Sequence, residues 1–175
     1  GSKLIDSLEA LGHQITLPVP SLFAFNSLSH ELSELSGISV QKVKIQIIGS
    51  DFCQEGPILI THKGISGPGV IKLSSWAARE LHQRDYRFKV RINWLGMNGL
   101  QTAKETIAVC KKSSASSKIR ICPFANLPKR LWIKLIHHLK ISSELTWAHL
   151  RKSDEEKIVK SLTEYVLEIN GKSTN

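Results

Sequence analysis

Residues Tyr86 to Leu95 read YRFKVRINWL, and their alternation is strict: Tyr86, Phe88, Val90, Ile92 and Trp94 fall on one side, Arg87, Lys89, Arg91 and Asn93 on the other. Successive side chains of a strand point to opposite faces, so the pattern specifies a strand with one buried and one solvated face. Such a strand needs neighbours in a sheet covered on one side. Upstream segments can supply them. In ISVQKVKIQIIG, Val40, Val43, Ile45 and Ile47 alternate in part with Lys42, Lys44 and Gln46, predicting a half-buried strand whose outward face is basic. GPILITH reads as another strand. HQITLPVPSLFAF, His13 to Phe25, has β-formers interrupted by Pro18 and Pro20, which suits a kinked edge or barrel strand.

Helical spacing appears in between and afterwards. ELSELSG reads as a short helix closed by Gly37. GVIKLSSWAARELHQ places Leu73, Trp76, Ala77 and Leu81 on one helix face. From about Asn98 the chain turns helical. LQTAKETIAVCKK reads as a helix, the serine-rich run Ser113 to Ser117 as a flexible linker, and KIRICPF as a short extended segment ended by Pro123. Asn126 is the expected cap of a helix in which Leu127, Leu131, Leu135 and Leu139 recur every four residues, with Pro128 in its first turn. Ser153 and Glu156 have capping-box spacing ahead of another helix, and YVLEING returns to strand before Gly171. No solenoid-period repeat occurs. Because a strand returns after the helices, the expected fold is α+β. A small β-barrel or curled antiparallel sheet, residues 1–97 completed by 163–175, would carry an inserted helical bundle, residues 98–162.

At 175 residues with 41% hydrophobic content, the chain can bury a real core. A net charge of +9 favours an anionic partner. The excess is uneven. Between Glu105 and Glu144 no acidic residue occurs, while Lys111, Lys112, Lys118, Arg120, Lys129, Arg130, Lys134 and Lys140 fall there, and a strongly positive face is expected. Cys53, Cys110 and Cys122 form no C-x-x-C pair and leave an odd count, which argues against a disulfide framework or zinc knuckle and for a reducing, cytoplasmic setting. No apolar run approaches the ~20 residues of a membrane span. Gly1-Ser2 reads as a cloning remnant, so the chain is expected to be a piece of something larger.

Candidate chemistry centres on Gly64-Ile65-Ser66-Gly67-Pro68-Gly69. It matches neither the dinucleotide fingerprint nor a phosphate loop, and Pro68 stands where a nucleophile elbow needs glycine. Both a structural corner and a ligand-facing loop fit the residues. His62 and Lys63 precede the loop, and Ser66 is close in sequence. His137 and His138 are adjacent and so point to different helix faces, and His13, His30, His82 and His149 lack ligand-like companions; no metal site is expected. Of the four tryptophans, Trp76 and Trp94 lie on apolar faces and read as core, whereas Trp132, one step off the leucine stripe beside Arg130, reads as the exposed aromatic.

Taken together, GHQITLPVPSLFAF, GPILITHKGISGPGVIKLSS, LPKRLWIKLI and SLTEYVLEINGK resemble the middle region of the BaiN/RdsA-like flavoproteins, NAD(P)/FAD-dependent oxidoreductases also labelled aminoacetone oxidase-like. The T-H-x-G-I-S-G-P element, Thr61 to Pro68, is the most specific part. The resemblance implies an insert of β-barrel and helical bundle that splits an FAD-binding domain, with the pyrophosphate-binding glycines outside this chain. It implies hydride delivery from reduced FAD to an activated double bond, with NAD(P)H as a donor and the FAD-binding domain of the parent chain as partner. Thr61, His62, Gly64, Ser66 and Gly67 are the implied flavin- or substrate-facing positions; Lys63 departs from the aromatic residue expected there. Two readings follow. One is a substrate-covering insert, inactive alone. The other is a basic RNA-binding module gripping phosphates with the Lys111 to Lys140 segment.

Overall fold

A computed structural model describes residues 2–173; Gly1, the last two residues of the expected barrel part, Thr174 and Asn175, and the side chains of Ser2, His30 and Glu31 lie outside the description. The described strands are β1 (Ala24–Asn26), β2 (Ser39–Ile47), β3 (Cys53–Thr61), β4 (Gly64–Ser66), β5 (Phe88–Asn93), β6 (Tyr165–Ile169) and β7 (Gly171–Ser173). They form one antiparallel sheet in the order β6-β5-β2-β3-β4-β1-β7. No ladder joins β6 to β7, yet Asn170 alone connects them in sequence, and its N–H donates to the Asn26 carbonyl at 3.0 Å. In a flat seven-stranded sheet the two edges would lie roughly 29 Å apart, six spacings of about 4.8 Å. One residue spans no such distance. The sheet is therefore curled, and inside it Phe25 of β1 meets Phe88 of β5 edge-on at 5.0 Å.

The partial alternation of β2 has a local cause. Val40 pairs with Ile58 and Val43 with Gly56, so one extra residue forms a bulge between them. The bulge returns Val43, Ile45 and Ile47 to the face of Val40, and all four are fully buried. At its start β5 is shorter than the alternation suggests. Asp85 and Tyr86 both have positive φ, 50° and 56°, and make the turn that follows the preceding helix. Phe88, Val90, Ile92 and Trp94 do line the core.

Seven helices accompany the sheet among the described residues: α1 (Ser2–Ala10), α2 (His30–Ser33), α3 (Pro68–Trp76), α4 (Ala78–Gln83), α5 (Gly99–Ser113), α6 (Lys129–His138) and α7 (Lys152–Thr163). The last three, with a 3₁₀ turn at Trp147–His149, lie between β5 and β6 as the expected insertion. Their core includes Ile107, Leu131, Trp132, Leu135, Ile136, Trp147, Ile158 and Leu162. It joins the sheet where the Trp94 N–H donates to the Leu162 carbonyl at 2.8 Å.

Several expectations are corrected. The His13 to Phe25 segment is not a kinked strand: only its last two residues, Ala24 and Phe25, belong to β1. Buried Phe23 instead gives its N–H to Ser74 Oγ at 2.9 Å. Asn126 does not cap α6; the cap position is Pro128, because the Leu127 N–H already turns back to the Phe124 carbonyl at 3.1 Å. Ser153 and Glu156 form no capping box, since α7 starts at Lys152 and puts Ser153 inside the first turn, where Asp154 and Glu155 complement the helix dipole. The serine run is tied down rather than free: the Ala148 N–H reaches the Ala115 carbonyl and the Trp147 N–H that of Ser117.

Candidate functional site

The glycine segment is built as a corner in three parts. Thr61 pairs with Gly64 across a two-residue turn, His62-Lys63, so β3 and β4 form a tight hairpin. Ile65 is fully buried between Ile60 of β3 and Phe25 of β1. Gly67 precedes α3, whose first residue is Pro68. An ideal Cβ on Gly64 would lie 2.2 Å from the Phe25 carbonyl oxygen, and one on Gly67 2.9 Å from both the Leu59 nitrogen and the Pro57 oxygen. Both residues have left-handed φ, 145° and 97°. Their open sides are thus filled by the backbone of β1 and β3, and these glycines let strands approach rather than leaving an empty cradle.

Of the implied flavin-facing positions, His62 is exposed at the hairpin turn beside Lys63, Thr61 and Ser66 are half-buried, and Gly64 is buried. The groups with side chains free to touch a ligand are therefore at the tip, while Gly64 and Gly67 shape it from behind. The Lys63 carbonyl accepts the Ser27 N–H at 2.7 Å. Ser27 lines a cavity of about 400 Å³ with Ser29, His138, Tyr165 and Asn170, along the seam where β6 has no second strand. The corner alone does not enclose a dinucleotide. What it offers is a polar hairpin tip beside an open seam.

The positive segment is less free than its composition suggests. Lys118 and Arg120 both pair with Glu144, holding its carboxyl below the usual range chiefly through the Lys118 hydrogen bond. Lys111 pairs with Glu155 at 2.8 Å and Lys134 with Glu34 at 2.5 Å, and Arg130 donates to the Glu34 carbonyl at 3.0 Å. Among the described residues Lys112, Lys129 and Lys140 make no ion pair. Acids distant in sequence, Glu34 and Glu155, answer charges that look unopposed when read locally.

The tryptophans exchange their expected places. Trp132 is fully buried, donating Nε1–H to the Ile119 carbonyl at 2.7 Å and stacking on Trp147 at 6.3 Å, whereas Trp76 is 69% exposed. Trp76 lines an open cavity of about 620 Å³ with Pro18, Val19 and Arg79. Burial pushes the thiols of Cys110 and Cys122 up, which keeps them protonated and unreactive. Among the described residues no three His, Cys, Asp or Glu side chains converge where a metal ion could be held, and no helix is long and apolar enough to cross a membrane. A further cluster escapes sequence reasoning: Lys44 and Arg91, on adjoining strands, line the same cleft against α5 and α7. Alternation puts both on the outer face of the curled sheet, but only the tertiary fold brings the helices beside them.

Comparison with known proteins places this architecture. A ribosomal RNA dihydrouridine synthase of Escherichia coli is 27% identical over 145 residues, 82% of this chain and 33% of that protein. One of Haemophilus influenzae is 30% identical over 132 residues, 72% of this chain and 30% of that protein. The chain spans about a third of the length of the curated relatives it matches. A family profile described as HI0933-like protein barrel and H2TH domain matches residues 19–174, which cover the curled sheet and its helical insertion together. The chain belongs to this HI0933-like barrel and H2TH domain family.

Proposed function

We propose that this chain is the substrate-covering insert of an FAD-dependent oxidoreductase that reduces an activated double bond, and that it has no turnover alone. The observation that carries the reading is the pairing of the first strand with the last. Ala24 lies opposite Ser173 and Phe25 opposite Lys172, so the chain enters and leaves the curled sheet on neighbouring strands. A unit of that shape can be looped out of a host domain through two adjacent connections without disturbing it. The match to about a third of each relative agrees with this. In the parent, bound FAD would supply the hydride, with NAD(P)H as its source. This chain would supply the Thr61 to Lys63 hairpin tip, polar groups that orient a ligand at the seam, on a corner stiffened by Gly64 and Gly67. The full-length parent purified under native conditions is expected to carry flavin absorbance. A flavin-free parent with normal folding would overturn the reading.

The similarity to two ribosomal RNA dihydrouridine synthases favours a companion role, in which the substrate is RNA and this basic chain docks it. Binding of a fluorescent structured RNA to the chain is expected to weaken steeply as salt rises, because phosphate contacts release condensed counterions. Absence of binding at low salt would remove this role and leave the insert reading standing.

A further inference from the structure

Two cavities meet on the side of the molecule where the sheet and the insertion join. The first, about 220 Å³, has Lys44, Gln46, Arg91 and Asn93 of β2 and β5 as its sheet wall. The second, about 680 Å³, runs between α5 and α7 past Lys104, Lys152, Val159 and Lys160. Leu100, Thr163 and Glu164 line both, so the two form one continuous groove. Its cations are Lys44, Arg91, Lys104, Lys152 and Lys160, and among the described residues none of them is ion-paired.

Two of the four nearby acids are engaged elsewhere. Glu55 lies opposite Lys44 in the ladder, but its carboxylate accepts the Met97 N–H at 2.8 Å. Glu155 is held by Lys111. Glu156 and Glu164 remain on the walls, leaving positive charge in excess. Between the charges the groove is apolar, with Leu100 half exposed and Val159 beside it. On the sheet side Asn93 Oδ1 accepts the Leu95 N–H, which leaves its amide N–H groups for a ligand. Lys152 and Lys160, eight residues apart, are separated by about 12 Å along α7, so the charges form a track rather than a point.

We propose that this groove is where the chain binds RNA, with the five cations tracking a phosphate backbone and the apolar floor facing sugar or base. The inference rests on the RNA role proposed above and relocates it from the Lys111 to Lys140 segment, where Lys111, Lys118, Arg120 and Lys134 already pair with Glu34, Glu144 and Glu155. An unopposed cation releases a counterion when it meets phosphate, whereas a paired one must first give up its carboxylate.

The test measures fluorescence anisotropy of a labelled ribosomal RNA hairpin with the whole chain over a salt series. In one variant Lys44, Arg91, Lys104 and Lys160 become Gln; in the other Lys118, Arg120, Lys129 and Lys134 do. Circular dichroism melts establish that both variants fold, and Lys104→Glu with Lys160→Glu, confined to helix surfaces, serves as an independent groove variant. The groove variants are expected to weaken binding at least tenfold and to flatten the dependence of log Kd on log salt, with less than a threefold change in the other variant. Equal losses in the two sets, or a larger loss from the second, would overturn the groove while leaving RNA binding in place. No binding of the unmodified chain at low salt would remove the RNA role as well. Displacement of the RNA by poly-glutamate at equal charge concentration would overturn it in favour of an acidic protein partner.

Discussion

The curled sheet and the helical insertion fail in different ways because different atoms hold them. At the β3–β4 corner the tightest contacts are backbone to backbone. Gly64 lies under the Phe25 carbonyl, Gly67 against Pro57 and Leu59, and a bulge in β2 resets the inward face. In the insertion no helix of the three uses a side-chain cap, and the tight contacts are between rings: Trp132 with Phe124 at 5.6 Å and with Trp147 at 6.3 Å. Backbone cannot retreat from an added methyl, and a ring cluster closes only in part over a lost ring, which leaves a cavity. The sheet is therefore sensitive to atoms gained and the insertion to atoms lost.

The largest expected effect is Gly64→Ala. The new methyl would overlap a carbonyl oxygen that is fixed in the β1–β4 ladder, at a φ of 145° that L residues rarely adopt. A loss of about 5 kcal/mol is expected, in the exceptional range for single substitutions. Gly37→Ala is the control, with a φ of +88° and open space around the added carbon, and should cost about 1 kcal/mol from backbone conformation alone. Urea titrations of the two proteins check this. Equal midpoints would mean that the corner relaxes and the backbone argument is wrong.

Next comes Trp132→Ala, expected to cost about 4 kcal/mol through lost burial and the cavity left behind. Trp76→Ala should stay within about 0.5 kcal/mol of the parent, since Trp76 is mostly in solvent. If Trp76→Ala proves the more damaging in a thermal melt, the assignment of core and surface aromatics is reversed.

That pair also marks where sequence reasoning stops. Trp76 is three residues from buried Leu73, which is core spacing, but α3 ends at Trp76 and α4 restarts after Ala77, so the helical phase does not carry through. Trp132 is one step off the leucine stripe, yet α6 buries Leu131 with Trp132 and Leu135 with Ile136, a face wide enough to pack α7 and the Ile119 segment at once. Periodicity reports a face only when one neighbour covers it. The antiparallel sheet, the insertion and the returning strand were legible because β2, β5 and β6 bury alternate residues. The three-residue β4 was not, since its glycine-rich letters advertise a loop while Phe25, its partner on β1, is distant in sequence. At the candidate site the residues of the corner were legible and their packing was not. The ion pairs to Glu34 and Glu155 were hidden for the same reason as β4.

A smaller effect probes the junction between the irregular Pro18–Leu22 stretch and the sheet. Ser74 is fully buried; its Oγ accepts the Phe23 N–H at 2.9 Å and donates to the Ile71 carbonyl at 2.7 Å. Ser74→Ala leaves the Phe23 N–H buried without a partner and should cost about 2 kcal/mol. Amide exchange at Phe23 should accelerate more than exchange at Val90 in the core of the sheet. Uniform acceleration would mean that Ser74 acts on the whole fold rather than on this anchor.

The smallest effect compares one exposed ion pair from each region. Lys89 holds the Glu168 carboxyl of the sheet below its ordinary value near 4.5, first by hydrogen bond and then by charge. Lys118 does the same to Glu144 of the insertion, with Arg120 adding charge. A carboxylate depressed in the folded state binds its proton more readily in the unfolded one. Its stabilisation is therefore complete above the ordinary value, and declines as pH falls below about 4.5 and through the depressed folded value. Both groups are exposed, so each increment is small and is screened by salt. Melts from pH 7 to pH 3 should show a shallower acid loss in Glu144→Gln and Glu168→Gln than in the parent, with the differences vanishing in 1 M salt. Because Glu144 meets two cations and Glu168 one, the Glu144 variant should show the larger change. A larger change at Glu168 would mean that the ladder, by fixing Lys89 directly opposite its partner, matters more than the count of charges, and that the rigidity of the sheet extends to its surface.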